Sequence, residues 1–330
     1  MYETGSASGV VDLLTKLQEF LVDAGWTASA PSAEGAGARL HAALGGVHFN
    51  ARAYVAETPS AAIRGASGSS TALAFNLSTA STGGAAWFDK TGTPVDGSGL
   101  YHTAGMNGIT GAIPTYHFFS QNAGASILVV VEYASGYFQM LGFGTLNKYG
   151  AYTGGTYFFG SRTGVDNLAS SNAGWIPAVG FFSHHSTSGQ NSAPSFVSLT
   201  VDAETGWHWS GSYDAGRDTT KRYVRCNLER YRTTLPNQPN SLNDLTVLMP
   251  VIPTVEREII AGHTAERLSP IGELPGVYYL RLKNLVPGQQ VVLGSDEYRV
   301  FPFFRKTDGV SEPSSAGVGH SADWGFAVKE

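Results

Sequence analysis

Three places in this sequence set side chains of chemical interest close together. His184 and His185 are adjacent. On a strand, neighbours point to opposite faces, so the pair could share a metal ion only in a loop, and a polar loop is the plainer reading. His208 stands between Trp207 and Trp209. These three, with Trp175, are candidate stacking or interface residues: a platform for a sugar or a base, or aromatic anchors of a core or a contact. Asp202 and Glu204, at i and i+2, share one strand face. Paired carboxylates do acid/base work in glycosidases or hold a cation, but two surface acids take the same spacing.

The sequence holds no nucleophile elbow, Walker A loop, Rossmann fingerprint or His-Glu-x-x-His zinc helix. Gly142-Phe143-Gly144 lacks the third glycine and the following helix of a dinucleotide site, and Gly154-Gly155 between aromatics reads as a tight turn. Cys226 is the only cysteine, which excludes an intrachain disulfide and a cysteine zinc site and suits a reducing compartment. No catalytic, cofactor-binding or metal-ligating residue is assigned, and no cofactor is expected. Asn76-Leu77-Ser78 has the form of a glycosylation sequon, but Met1–Gly5 shows no basic start of a secretory signal and no apolar run follows it directly.

The elements that must carry these residues are mostly strands. One helix is plain: Val10, Leu13, Leu14, Leu17, Leu21 and Ala24 recur at helical spacing, with Ser8 as N-cap, Asp12 in the first turn, Gly25 as stop and Trp26 as a packing anchor. Ala30–Gly37 reads as a small-residue loop. Strands are predicted at 48–54 and 71–77, then in a meander over 116–120, 126–133 and 136–143, whose turns hold Asn122-Ala123-Gly124 and Ser135-Gly136. Ser126–Val131, nearly all apolar, predicts a central strand buried on both faces. Later strands are expected at 196–201, 206–209, 277–283, 290–293, 298–304 and 324–328, with Pro302 marking an edge or a bulge.

The fold class that follows is mainly β with one N-terminal amphipathic helix (α+β), an antiparallel β-sandwich or barrel-like domain with a long loop-rich insertion. The expected organisation is the helix and first part of the β domain over 1–163, a loop-rich insertion or second small β domain over 164–274, and C-terminal strands completing the β domain over 275–330.

Charge is the other signal. Only 14% of the 330 residues are charged, against roughly 25% in ordinary soluble proteins. No Asp, Glu, Lys or Arg occurs between Asp96 and Glu132, or between Asp166 and Asp202. Neither stretch is a membrane span, since a spanning helix needs ~20 apolar residues and the longest apolar run here is Ile127–Val131. Interface cores lose charge and gain aromatics, so these segments, above all Gly97–Thr115 and Leu168–Gly189, are expected as contact loops of an assembly subunit. The net charge of -5 argues against a nucleic-acid partner.

Four stretches together carry a resemblance: Asp12–Phe20 leading to Gly25-Trp26, Tyr137–Lys148, Gly154–Ser161, and Tyr298–Pro302 with Gly325–Val328. They resemble virion structural proteins of tailed bacteriophages, of the kind encoded among tail and baseplate genes. The resemblance spans both ends and the middle, leaves Phe182–Gly276 unmatched and transfers no functional residue. It implies a non-enzymatic structural subunit, assembled in the host cytoplasm into the virion. Its implied partners are other virion proteins and copies of itself, with no membrane insertion. The alternatives are a carbohydrate- or receptor-binding module that stacks a host-surface glycan on Trp175, Trp207, His208 or Trp209, a neck or capsid-surface protein, and a particle-bound hydrolase.

Overall fold

The computed structural model describes residues 1–63, 66, 68–163, 195–201, 204–209, 224–226, 247–258, 266–282, 284–303, 305–306 and 324–330. The chain is mainly β; among the described residues there is one helix, and the paired strands run antiparallel. A central sheet runs in the order β1 (Tyr2–Ala7), β8 (Ile113–Gln121), β9 (Ser126–Ala134), β10 (Tyr137–Thr145), β12 (Thr153–Gly160), β14 (Ser195–Val201), β15 (Glu204–Trp209). An N-terminal sheet runs β13 (Arg162–Thr163), β7 (Ala104–Asn107), β6 (Ser70–Ser78), β5 (Val47–Glu57), β4 (Gly37–Leu44), β2 (Thr27–Ala28), with β3 (Ser32–Glu34) also on β4. A C-terminal sheet runs β17 (Met249–Pro250), β21 (Val277–Arg281), β24 (Trp324–Lys329), β23 (Asp296–Pro302), β22 (Gln290–Leu293). Two small sheets complete the set: β16 (Val224–Cys226), β18 (Pro253–Glu258) and β19 (Glu266–Pro270), and β11 (Asn147–Lys148) with β20 (Gly272–Glu273). Among the described residues no sheet closes on itself, so the architecture is a stacked sandwich and not a barrel.

Strand alternation explains the layering. On one face of the central sheet Phe118, Ile127, Val129, Val131, Leu141, Phe143 and Phe158 share a core with Leu40, Phe49, Phe75 and Leu77 of the N-terminal sheet. On the other face Phe119, Leu128, Val130, Met140, Tyr157 and Phe159 share a core with Val277, Tyr279, Phe301, Phe326 and Val328 of the C-terminal sheet. The central sheet is thus covered on both sides, which is why β9 reads as an unbroken apolar run. Within the segment 164–274, β14 and β15 extend the central sheet and β17 joins the C-terminal sheet.

The helix α1 (Val10–Asp23) buries Val10, Leu13, Leu14, Leu17, Phe20 and Leu21 in the first of these cores. Its start differs from the expected one. The cap residue is Gly9, with no side-chain cap, and Ser8 instead donates its backbone N–H and its hydroxyl to the Asp12 carboxylate. Asp12 thereby reaches back over the first turn, where a negative charge also suits the helix dipole. Gly25, at φ 92, follows the last turn. Trp26 then fixes the helix end: its indole N–H donates to the Gly124 carbonyl at 2.9 Å, and its ring meets Phe143 edge-on.

Three further corrections concern elements with small residues. The expected loop Ala30–Gly37 contains β3, hairpin-paired to β4 through Glu34 and Gly37. β1 pairs with β8 although its sequence carries no apolar alternation. The expected contact loop Gly97–Thr115 contains β7, which is buried throughout, so only short turns within that segment lie at the surface. Pro302 ends β23 beyond the reach of β22, where its missing N–H costs no pairing on that side.

The chain passes from the central sheet to the N-terminal sheet at Gly160-Ser161. A Cβ at Gly160 would lie 2.3 Å from the Gly105 backbone nitrogen, so the corner closes only because this position lacks one. Ser161 locks the crossing: its N–H donates to the Met140 carbonyl and its Oγ accepts from the Met140 N–H at 2.7 Å.

Candidate functional site

The sequence candidates fall in different places. Trp207 and His208 alternate on β15, so they face opposite sides of the central sheet. Trp207 is half-buried on the helix-side core, edge-on to Phe158, and its indole N–H donates to the Gly92 carbonyl at 2.7 Å. His208 is buried. Trp209 continues β15 opposite Phe196, but its side chain, like Trp175, His184, His185 and Asp202, lies outside the described residues. The structure therefore does not bring Trp207 and His208 onto one platform.

A polar cluster that sequence reasoning missed lies on the outer face of the N-terminal sheet. Its residues occupy alternate positions of β4, β5 and β6, a pattern that reads as a solvated face. The segment after β6 folds back over them instead: Trp87 and Phe88 pack with Tyr54, Ile63 and Ala74. The Trp87 indole N–H donates to the Tyr54 hydroxyl at 3.0 Å, and burial pushes that hydroxyl up to about 12. Under this cover Arg52, 4% exposed, pairs with Glu34 at 2.6 Å and Glu57 at 2.5 Å, its guanidinium 5.0 Å from the centroid of the Tyr54 ring.

Beside it runs an amide ladder. Asn76 donates its Nδ2 to the Phe88 carbonyl at 2.9 Å, and Asn50 donates its own to Asn76 Oδ1 at 3.3 Å and Ser78 Oγ at 3.0 Å. Asn76 is fully buried, so the sequon it heads presents no acceptor at the surface. The Asn50 Oδ1 faces His41 Nδ1 at 2.8 Å, and His41 Nε2 faces His48 Nδ1 at 3.4 Å. The two imidazole planes are inclined by 24°, with centroids 5.3 Å apart. Burial first, then the neighbouring His41, lowers the pKa of His48 below the ordinary histidine value.

No protein-family model and no curated protein matches this chain.

The remaining surface feature is the edge of the C-terminal sheet. Among the described residues β22 has a neighbour on one side alone, β23. Val292 is 59% exposed, and Leu293 and Val286 stand exposed beside it. Free edges are usually blunted by charge, proline or a bulge, and Gln290–Leu293 carries none of these.

The Arg52 cluster gives a first testable outcome. With Arg52 replaced by Met, Glu34 keeps the exposed Arg39 at 3.5 Å while Glu57 loses its cation, and the two carboxylates face each other. Both are partly solvated, so the expected loss is about 1–2 kcal/mol, below the figure for a fully buried pair. Adding Glu34→Gln and Glu57→Gln to that variant is expected to restore most of it, measured by urea unfolding. A triple variant no more stable than Arg52→Met would assign the loss to packing.

Proposed function

We propose that this chain is a structural subunit of a tailed-bacteriophage particle, in the tail or baseplate region, that works through protein–protein contacts and not by catalysis. The observation that carries this reading is the apolar edge strand β22, which among the described residues has a neighbour on one side alone, a site for strand addition by a neighbouring subunit. The resemblance to phage virion proteins supports it. The stretches behind that resemblance are fold-building parts: the α1 stripe, β10, β12 with its Gly160 corner, and the β23–β24 pair. Three pairings of buried polar side chains support it as well. Arg52 is tied to Glu34 and Glu57, His117 to the Tyr2 hydroxyl, and Tyr157 to Ser126, which are architectural pairings.

Charge depletion is a weaker support than the sequence suggests. From Gly97 to Val131 most residues of β7, β8 and β9 are buried inside this one chain. That burial accounts for the missing charges without a partner.

The test is immunogold electron microscopy on particles from a lysate in which the chain is made. Gold is expected at one station, at the tail end. In parallel, Val292→Lys is expected to leave the melting temperature of the free chain unchanged while reducing its incorporation into particles. Absence of the chain from denatured particles would overturn the structural reading. Undiminished incorporation of the variant would overturn the role of the β22 edge.

A further inference from the structure

We propose that His41 and His48 form a two-imidazole chelate for a divalent transition ion of the zinc, nickel or copper class, on the outer face of the N-terminal sheet.

The Phe88 carbonyl can only accept, so Asn76 presents its NH₂ there and its Oδ1 to Asn50. Asn50 must then point its NH₂ at Asn76, and also at Ser78, whose own hydroxyl donates to the Ala80 carbonyl. That leaves the Asn50 Oδ1 as an acceptor facing His41, so His41 Nδ1 carries the proton. The Nε2 of neutral His41 consequently carries a lone pair, aimed at His48. An imidazole that donates one N–H to an oxygen acceptor and carries a lone pair on its other nitrogen is the usual arrangement of a metal-ligating histidine.

The spacing agrees. Two nitrogens each about 2.05 Å from a tetrahedral ion lie about 3.3 Å apart. His41 Nε2 and His48 Nδ1 are 3.4 Å apart. Without the ion that distance is a long hydrogen bond, with the His48 Nδ1–H directed at His41 Nε2. With the ion, His48 carries its proton on Nε2 instead, and no net proton is released. The strand register makes the pair: His41 lies opposite Asn50, and His48 lies opposite Ala43, one step along the same face. The β4–β5 turn at Gly45-Gly46 ends beside them, and both rings are half-buried and reachable from water.

The donor set selects the ion. Two imidazole nitrogens suit zinc, nickel and copper, whereas calcium and magnesium require oxygen ligands. The nearest cation on the same strand face, Arg39, is occupied by Glu34 and Ser32. Among the described residues no group of three or more His, Cys, Asp and Glu is assembled, so these residues supply two ligands, with water in the other positions.

The experiment uses the full chain, untagged and stripped with EDTA, in a His184→Gln/His185→Gln background that removes the adjacent histidine pair. Zinc chloride is titrated calorimetrically, and zinc-edge X-ray absorption counts the imidazoles. One zinc per chain with two imidazoles is expected. His41→Gln and His48→Gln are each expected to weaken binding at least tenfold while melting with the parent in EDTA. No heat of binding, or equal binding by both histidine variants, would overturn the site. So would a count of one imidazole or none on the parent chain, a readout that does not depend on how the variants fold. An ion bound at crystal or millimolar concentration only counts against it.

Discussion

Phe143→Ala is expected to lower the unfolding free energy by about 3–5 kcal/mol, the range for deleting a fully buried phenylalanine. Phe143 is 0% exposed on β10, where the inner faces of the two sheets and the helix end converge. Its ring stacks on Phe49 at 4.2 Å and 15°, meets Trp26 edge-on at 5.5 Å, and lies 5.7 Å from Phe75. Removing it strips contacts from three elements at once. Those elements are pinned by strand pairing and by the Trp26 N–H on Gly124, so they cannot collapse into the space. The cavity term therefore adds to the transfer term. Urea unfolding at constant slope checks it, and Phe143→Leu is expected to recover more than half. A loss below about 1.5 kcal/mol would mean that the core repacks and that the convergence at Phe143 does not hold the sandwich together.

The same residue illustrates what could be read from the sequence. In the sequence Phe143 ends the predicted strand 136–143 and sits in Gly142-Phe143-Gly144, which lacks the third glycine of a dinucleotide site, and neither feature marks it as a centre of packing. The neighbouring Gly142 has a packing reason instead: a Cβ there would lie 2.6 Å from the Phe159 ring. Elements with a strong period were legible. The α1 stripe, the β8–β9–β10 meander with its Asn122-Ala123-Gly124 turn, and the C-terminal strands follow from side-chain pattern alone. Elements built of small residues were not. β3, β7 and much of β4 offer Ala, Gly and Ser, which fit a strand but do not announce one. Their strand character comes from the layers around them.

The polar sites were hidden by the converse effect. Asn50, Arg52 and Tyr54 alternate with Phe49, Ala51 and Ala53 as a half-exposed strand would. Only the excursion carrying Trp87-Phe88 buries them, and no local pattern tells where such an excursion lands. The His41–His48 pair was illegible for a further reason: it depends on the exact strand register, which a sequence without a clear turn type at Leu44–Val47 leaves open.

A second large effect is expected from pH, through His117. This residue sits on β8 between the central and C-terminal sheets, stacked against Tyr2, 4.8 Å from the Phe301 ring, with Nδ1 2.8 Å from the Tyr2 hydroxyl. Arg299 lies over the other aromatic partner, Tyr2, and is itself paired with Glu330. Burial, with a smaller push from the Arg299 charge, lowers the His117 pKa from 6.5 to about 4. Between those values the unfolded chain binds a proton that the folded chain refuses, so stability rises with pH across the window. The contribution is fully present above about pH 6.5 and is lost as pH falls toward 4, by about 2 kcal/mol at pH 5 and about 3 kcal/mol at the limit. His48, lowered in the same direction, adds a smaller term of the same sign. Carboxylates titrate in the lower part of this window, so the informative quantity is a difference between two chains. His117→Phe keeps the ring in the aromatic stack and has no proton to bind. Relative to wild type it is expected to lose less stability between pH 7 and pH 5, by about 2 kcal/mol in urea unfolding. Its stability at pH 7 is expected to be lower, because the Tyr2 hydroxyl loses its hydrogen-bond partner, and the two curves therefore converge as pH falls. Parallel curves would show that His117 takes up its proton as readily in the folded chain as in the unfolded one. Water would then reach the seam between the central and C-terminal sheets, and the two layers would be less tightly joined than the Phe301 and Tyr2 contacts imply.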